Sequence, residues 1–139
     1  MKNMPETIKL MPDYGCYPLW WKVPGKVGNI DPATLPLSQE TIKRLDAWAN
    51  VYDATLNMAD PANSVGFSSR ETKEDFEQEG VSLWLQLREE LAPDYEVVYF
   101  DKHRSKLLTH KSELAPKDLV VAESYSAFSQ QMKSASSEL

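Results

Sequence analysis

Glu71, Asp75 and Glu79 recur at a spacing of four residues, with Glu74 and Glu77 interleaved. Carboxylates brought together on a helix can divide the work of acid and base, provided burial drives their pKa values apart. A solvated helix face supplies no such burial, so the spacing reads first as an exposed acidic row able to meet a basic partner. His103 lies in the polar stretch Asp101-Lys102-His103-Arg104-Ser105, a setting in which an imidazole is solvated far more often than it is a general base. Cys16, the single cysteine, sits in a turn-like run with no adjacent cation to form a thiolate, and reads as a small apolar residue. Two histidines seven apart and one distant cysteine do not make ligand spacing, so neither metal nor cofactor is expected. The five glycines are scattered, which leaves no phosphate-cradling loop and no nucleophile elbow.

Charge sharpens the contrast between catalysis and binding. The formal net charge is −6, but it is unevenly placed: residues 1–37 carry +1, residues 38–101 carry −9, and residues 102–139 carry +2. A central segment of that sign attracts basic surfaces and repels phosphate backbones, which disfavours direct nucleic-acid binding. The plainer reading of the same charge is solubility.

The elements that must carry these residues follow from periodicity and punctuation. Thr7, Ile8, Lys9, Leu10 and Met11 alternate as in a half-buried strand that Pro12 stops. Trp20 and Trp21, in a strand expected over about residues 18–22, must point to opposite faces, one toward a core and the other toward solvent, a groove or a partner. Pro24-Gly25 and Gly28-Asn29 predict turns, and residues 31–36 an irregular, proline-stiffened approach. Ser38 is a good N-cap, with Glu40 in the first turn. From there Ile42, Leu45, Trp48, Ala49, Tyr52 and Leu56 form an apolar stripe, with Lys43, Asp46, Asn50 and Asp53 off it, until Asn57 and Asp60-Pro61 close the helix.

Ser68 and Glu71 have capping-box spacing, placing a second helix from about residue 69 to Pro93, with Phe76, Gly80, Leu83, Leu87 and Leu91 inward and Trp84 beside them. Glycine inside a helix costs up to about 1 kcal/mol relative to alanine, so Gly80 implies close approach of a neighbour. The run of residues 95–100 is apolar on both faces, as in a covered strand. A hairpin to residues 106–109 follows, although its turn lacks Gly or Asn. Residues 119–121 have the character of a short strand. Tyr125, Phe128 and Met132 share helical spacing in a serine-rich end that reads either as a docked helix or as a tail.

These readings give an α+β fold: two central helices packed on a small, mainly antiparallel sheet, with a short C-terminal helix as an option. Residues 1–122 are expected to form a single domain and residues 123–139 a tail or docked helix. No stretch approaches the roughly 20 apolar residues of a membrane span. Residues 1–6 lack the apolar centre of a secretion signal, so a cytoplasmic protein is expected, without membrane contact.

The run Leu10-Met11-Pro12-Asp13-Tyr14-Gly15-Cys16-Tyr17-Pro18-Leu19-Trp20 is followed by Gly28-Asn29-Ile30-Asp31-Pro32 and Leu35-Pro36-Leu37-Ser38. Trp48, Tyr52-Asp53, Leu56-Asn57, Asp60-Pro61, Phe67, Phe76, Gly80 and Tyr95 continue the order. Over residues 8–100 this pattern resembles short bacterial immunity proteins of polymorphic and contact-dependent growth inhibition toxin systems. The resemblance implies a cytosolic inhibitor of an incoming effector's C-terminal toxin domain, commonly a nuclease, and brings no site residues with it. An acidic inhibitor suits a nuclease, whose phosphate-binding surface is basic. The partner-binding candidates are therefore Glu71, Asp75 and Glu79, with Asp46 and Asp53 on the first helix and Trp20 and Trp21 as aromatic anchors. Two alternatives stand beside this: a small hydrolase or transferase using carboxylates or His103 near the tryptophans, and a regulatory subunit that self-associates through them.

Overall fold

A computed structural model of the chain describes residues 5–26, 28–55, 70–102, 104–114 and 118. Strand β1 (Glu6–Leu10) alternates as its sequence demands: Ile8 and Leu10 are fully buried, while Thr7 and Lys9 point the other way. A loop over residues 11–18 returns the chain into β2 (Leu19–Trp21), antiparallel to β1 with Leu10 opposite Leu19 and Ile8 opposite Trp21.

Asn29 is not in a turn but begins β3 (Asn29–Ile30), paired antiparallel with β2. The Asn29 side chain accepts from the Tyr17 N–H at 2.8 Å and donates to the Tyr17 and Leu19 carbonyls at 2.6 and 2.9 Å. A turn-forming residue type thus clamps the start of the neighbouring strand, a use that strand propensity does not anticipate. The approach expected to be irregular contains a 3-10 turn, Pro32–Thr34, capped by Asp31.

Ser38 caps α1 (Gln39–Asp53), its hydroxyl accepting from the Thr41 N–H. The helix ends before the expected Asn57 because Thr55 donates its hydroxyl to the Tyr52 carbonyl at 2.7 Å, a local bond that competes with another helical turn. Helix α2 (Arg70–Leu91) follows and buries the inner face expected of it, together with Val81 and Trp84. Strand β4 (Tyr95–Asp101) lies parallel to β1, with Ile8 opposite Val97 and Leu10 opposite Tyr99, and pairs antiparallel with β5 (Lys106–Leu108). In the hairpin turn, Asp101 takes the place of the missing Gly or Asn by accepting from the Arg104 backbone and guanidinium at 3.2 and 2.8 Å. Ser105 supplies the positive φ, 52°.

The fold is therefore α+β: among the described residues, two helices lie over a five-stranded mixed sheet of order β3-β2-β1-β4-β5. Among the described strands only the central β1–β4 pair is parallel, and α2 packs against both α1 and β4. The shared core joins Ile8, Leu10, Leu19, Val97, Tyr99 and Leu108 of the sheet to Leu45, Trp48, Phe76, Leu83, Trp84 and Leu87 of the helices. Gly80 sits at a close approach of the layers: a Cβ there would lie 2.7 Å from the Tyr99 hydroxyl and 2.8 Å from the Trp48 ring. That absence lets the Trp48 indole reach the Phe76 carbonyl at 2.9 Å and stack on Phe76 at 4.6 Å between centroids.

A 3-10 turn over Lys111–Glu113 comes last among the described elements. The expectations for Leu56, Asn57, Asp60, Pro61, Phe67, Ser68, His103, residues 119–121 and the helix or tail from Ser124 onward lie outside the described residues.

Candidate functional site

The seven candidate residues do not form one surface. Glu71 and Asp75 are exposed on the first half of α2, as their spacing implied. Glu79 is instead an interhelical partner: Arg44 donates Nε and Nη2 to its two oxygens at 3.1 and 2.9 Å and reaches Ser82 at 3.0 Å. The carboxylate row read as exposed is therefore exposed at Glu71 and Asp75, whereas Glu79 is partly covered and paired across the helices with Arg44.

Asp46 is exposed on α1, but two residues of helix turn its side chain about 200° from Arg44, away from α2. Asp53 lies on that same far flank, where it accepts the Gly15 N–H at 3.1 Å and so fastens the β1–β2 loop to the end of α1. The acidic residues thus divide into a group on α2 and a group on the opposite flank of α1.

Trp20 and Trp21 part as a strand requires. Trp21 packs on the core beneath the helices, 6.2 Å from the Tyr95 ring and with the Lys26 ammonium 3.9 Å above it. Trp20 lies on the opposite face of the sheet, its indole donating to the Met11 carbonyl at 3.0 Å. The two therefore cannot line a common aromatic pocket, which removes the geometry that a hydrolase or transferase built around both would need.

Ionisable groups line two of the concavities formed by the described residues. An open depression of about 510 Å³ lies between the end of α2 and the start of β4, bordered by Arg88, Glu89, Tyr95, Glu96 and Lys111. A smaller cleft of about 200 Å³ lies at the far end of β4, among Tyr52, Phe76, Glu77, Tyr99, Asp101 and Lys102. Burial, reinforced by the carboxylates of Asp101, Asp118 and Glu77, pushes the Tyr99 phenol well above its ordinary pKa. It is thereby held neutral, the opposite of what a general base requires. Among the described residues no group of three or more His, Cys, Asp or Glu could hold a metal ion, and no helix is long and apolar enough to cross a membrane. Cys16 is a free, half-buried thiol.

Residue-by-residue reading missed the exposed apolar groups at the end of α1. Val51 is 43% exposed and Tyr14 36%. Tyr14 stacks on Tyr52 at 4.6 Å, and its hydroxyl lies 3.0 Å from that of Thr55. The signal was present: Val51 is a β-branched residue off the apolar stripe of an amphipathic helix, and Tyr14 is a large ring beside Gly15 in a turn.

Residues 6–102 match the family described as Serratia CdiI immunity protein-like, a span from β1 through the end of β4. No curated protein matches the chain.

Proposed function

The chain belongs to the Serratia CdiI immunity protein-like family, and on that premise we propose that it is a cytoplasmic immunity protein that binds a cognate toxin domain and blocks it without doing chemistry itself. The match over residues 6–102 carries this reading. The arrangement of side chains supports it: the exposed carboxylates Glu71 and Asp75 have the placement of a docking surface, and the tryptophans are divided between two faces. The partner is a basic domain, in keeping with a nuclease, whose phosphate-binding surface the acidic helix side attracts and occludes.

Two measurements test this. Cells producing the cognate toxin domain, to be sought at the C-terminus of a secreted protein encoded beside this gene, should grow when the chain is co-produced and stop growing when it is not. The purified chain and that domain should also form a stable complex. Growth arrest despite co-production, with no complex formed, overturns the proposal.

A further inference from the structure

We infer that the toxin domain is anchored in the depression at the end of α2, by an apolar side chain seated on Leu85 and Tyr95 and a carboxylate beside it that meets Arg88 and Lys111. This rests on the immunity reading above. The depression, of about 510 Å³, brings together Leu85, Arg88 and Glu89 of α2, Tyr95 and Val97 of β4, and Lys111 of the last 3-10 turn. That volume is ample for an inserted side chain. Val97 is 2% exposed, and Leu85 and Tyr95 are half-buried and packed against the core, so the floor is apolar. Two cations border it, and among the described residues neither Arg88 nor Lys111 has an ion-pair partner. Arg88 is held instead over the Trp84 ring, 5.5 Å from its centroid, and Tyr95 rests 6.2 Å from the Trp21 ring. Groups placed in advance in this way lose little conformational freedom on binding.

Helix α2 carries the exposed carboxylates and the depression on one side. At about 100° per residue, Glu71, Asp75, Gln78, Ser82, Leu85 and Glu89 fall within an arc of about 80°, turned away from the buried Phe76, Gly80, Leu83 and Leu87. Glu71, Asp75, Gln78 and Glu89 are exposed, and Leu85 is the apolar member of this outward stripe. Helix α1 does not reach the depression: Arg88 lies about 180° around α2 from Glu79, the residue that meets Arg44 of α1. A partner drawn to Glu71 and Asp75 therefore finds, along the same helix, an apolar hollow with unpaired cations at its edge. An apolar anchor in a pocket, with charge at the rim, concentrates affinity in protein interfaces. Glu89 and Glu96 complete that rim, so the site suits a protein surface of mixed charge rather than a free anion. The occupant that fits is an aliphatic or aromatic side chain with an Asp or Glu beside it, since a guanidinium pairs closely with a carboxylate.

The test uses the full chain and the cognate toxin domain, with Kd measured by calorimetry for wild type, Ala92→Trp, Lys111→Glu and the control Lys43→Glu on the exposed side of α1. Ala92 is exposed at the border of the depression, so an indole there fills the hollow without entering the core. Both depression variants should bind at least about tenfold more weakly, as loss of a central anchor does, with urea midpoints equal to that of wild type. Lys43→Glu should bind as wild type. It changes the net charge by as much as Lys111→Glu, so a difference between the two reports a local contact rather than long-range attraction. Wild-type affinity in Ala92→Trp overturns the inference and leaves the immunity reading standing. Should Ala92→Trp lower the urea midpoint, Lys111→Glu decides by the same criterion. If wild type itself fails to bind, both readings fall. A dimer in sedimentation that Ala92→Trp abolishes, with toxin affinity unchanged, would assign the depression to a second copy and overturn the inference.

Discussion

Gly80 is where a single hydrogen atom decides the packing of three elements. A methyl group there would meet the Tyr99 hydroxyl and the Trp48 ring inside 3 Å, and neither has room to retreat: Tyr99 is 6% exposed and Trp48 2%. Gly80→Ala should gain up to about 1 kcal/mol of helix propensity and lose about 1–3 kcal/mol to overpacking. The expected outcome is net destabilisation in chemical denaturation, and a stabilised variant would show that the two rings yield freely. Trp48→Ala removes a stacked ring and its hydrogen bond to Phe76 and should cost about 3–5 kcal/mol. Lys43→Ala, on the exposed side of the same helix, should stay within about 0.5 kcal/mol of wild type. Both core positions were legible in the sequence, Trp48 from the three-and-four stripe and Gly80 from its conflict with helix propensity. Tyr99 as the opposing surface was not, because periodicity identifies an inner face but not what it meets.

At the scale of elements, one carboxylate joins the start of α1 to the last turns of α2. Glu90 accepts from the Ser38 N–H at 2.7 Å, from Gln86 at 2.6 Å and from the Thr41 hydroxyl. Partial burial pushes its pKa up, but the hydrogen bonds from Ser38, Thr41 and Gln86 outweigh this and hold the carboxyl below its ordinary range. A depressed carboxylate stabilises the fold fully above its unfolded pKa, and that contribution is lost as pH falls through the folded value, because the unfolded chain then binds more protons. Glu90→Gln should therefore be less stable at neutral pH, and its urea midpoint should fall less than that of wild type between pH 7 and pH 3. Parallel pH profiles for the two proteins would refute this role. Ser38→Ala removes the cap itself and should cost about 1 kcal/mol. The cap, both helices and four of the strands could be read from local signals, since Ser, Pro and alternation act within a few residues. The brief β3, the early end of α1 and the buried Thr41 could not, because each depends on a partner far along the chain or on a side-chain bond that competes with propensity.

For the whole molecule, the question is whether uneven charge becomes an uneven field. The segment carrying −9, residues 38–101, supplies both helices and β4, yet folding commits part of that charge internally: Glu79 to Arg44, Glu90 to the α1 cap and Asp101 to Arg104. The sequence could count these carboxylates but not sort them, because pairing across helices 35 residues apart leaves no local mark. Glu71 and Asp75 remain exposed, and they are the residues on which long-range attraction of a basic domain should depend. Glu71→Lys with Asp75→Lys reverses two charges at positions whose side chains face away from the core, whereas reversing Glu79 would also set a lysine against Arg44. Steering acts on encounter, so the double variant should associate with the toxin domain about tenfold more slowly at low ionic strength. Its association rate should also vary less with salt, since fewer attractive charges remain to be screened. Dissociation should change little if the two residues form the rim of the interface. Stopped-flow kinetics at two salt concentrations separate these effects. Association rates and a salt dependence equal to wild type would mean that α2 does not steer the encounter, and would leave Asp46 and Asp53 on the far flank of α1 as the remaining acidic candidates.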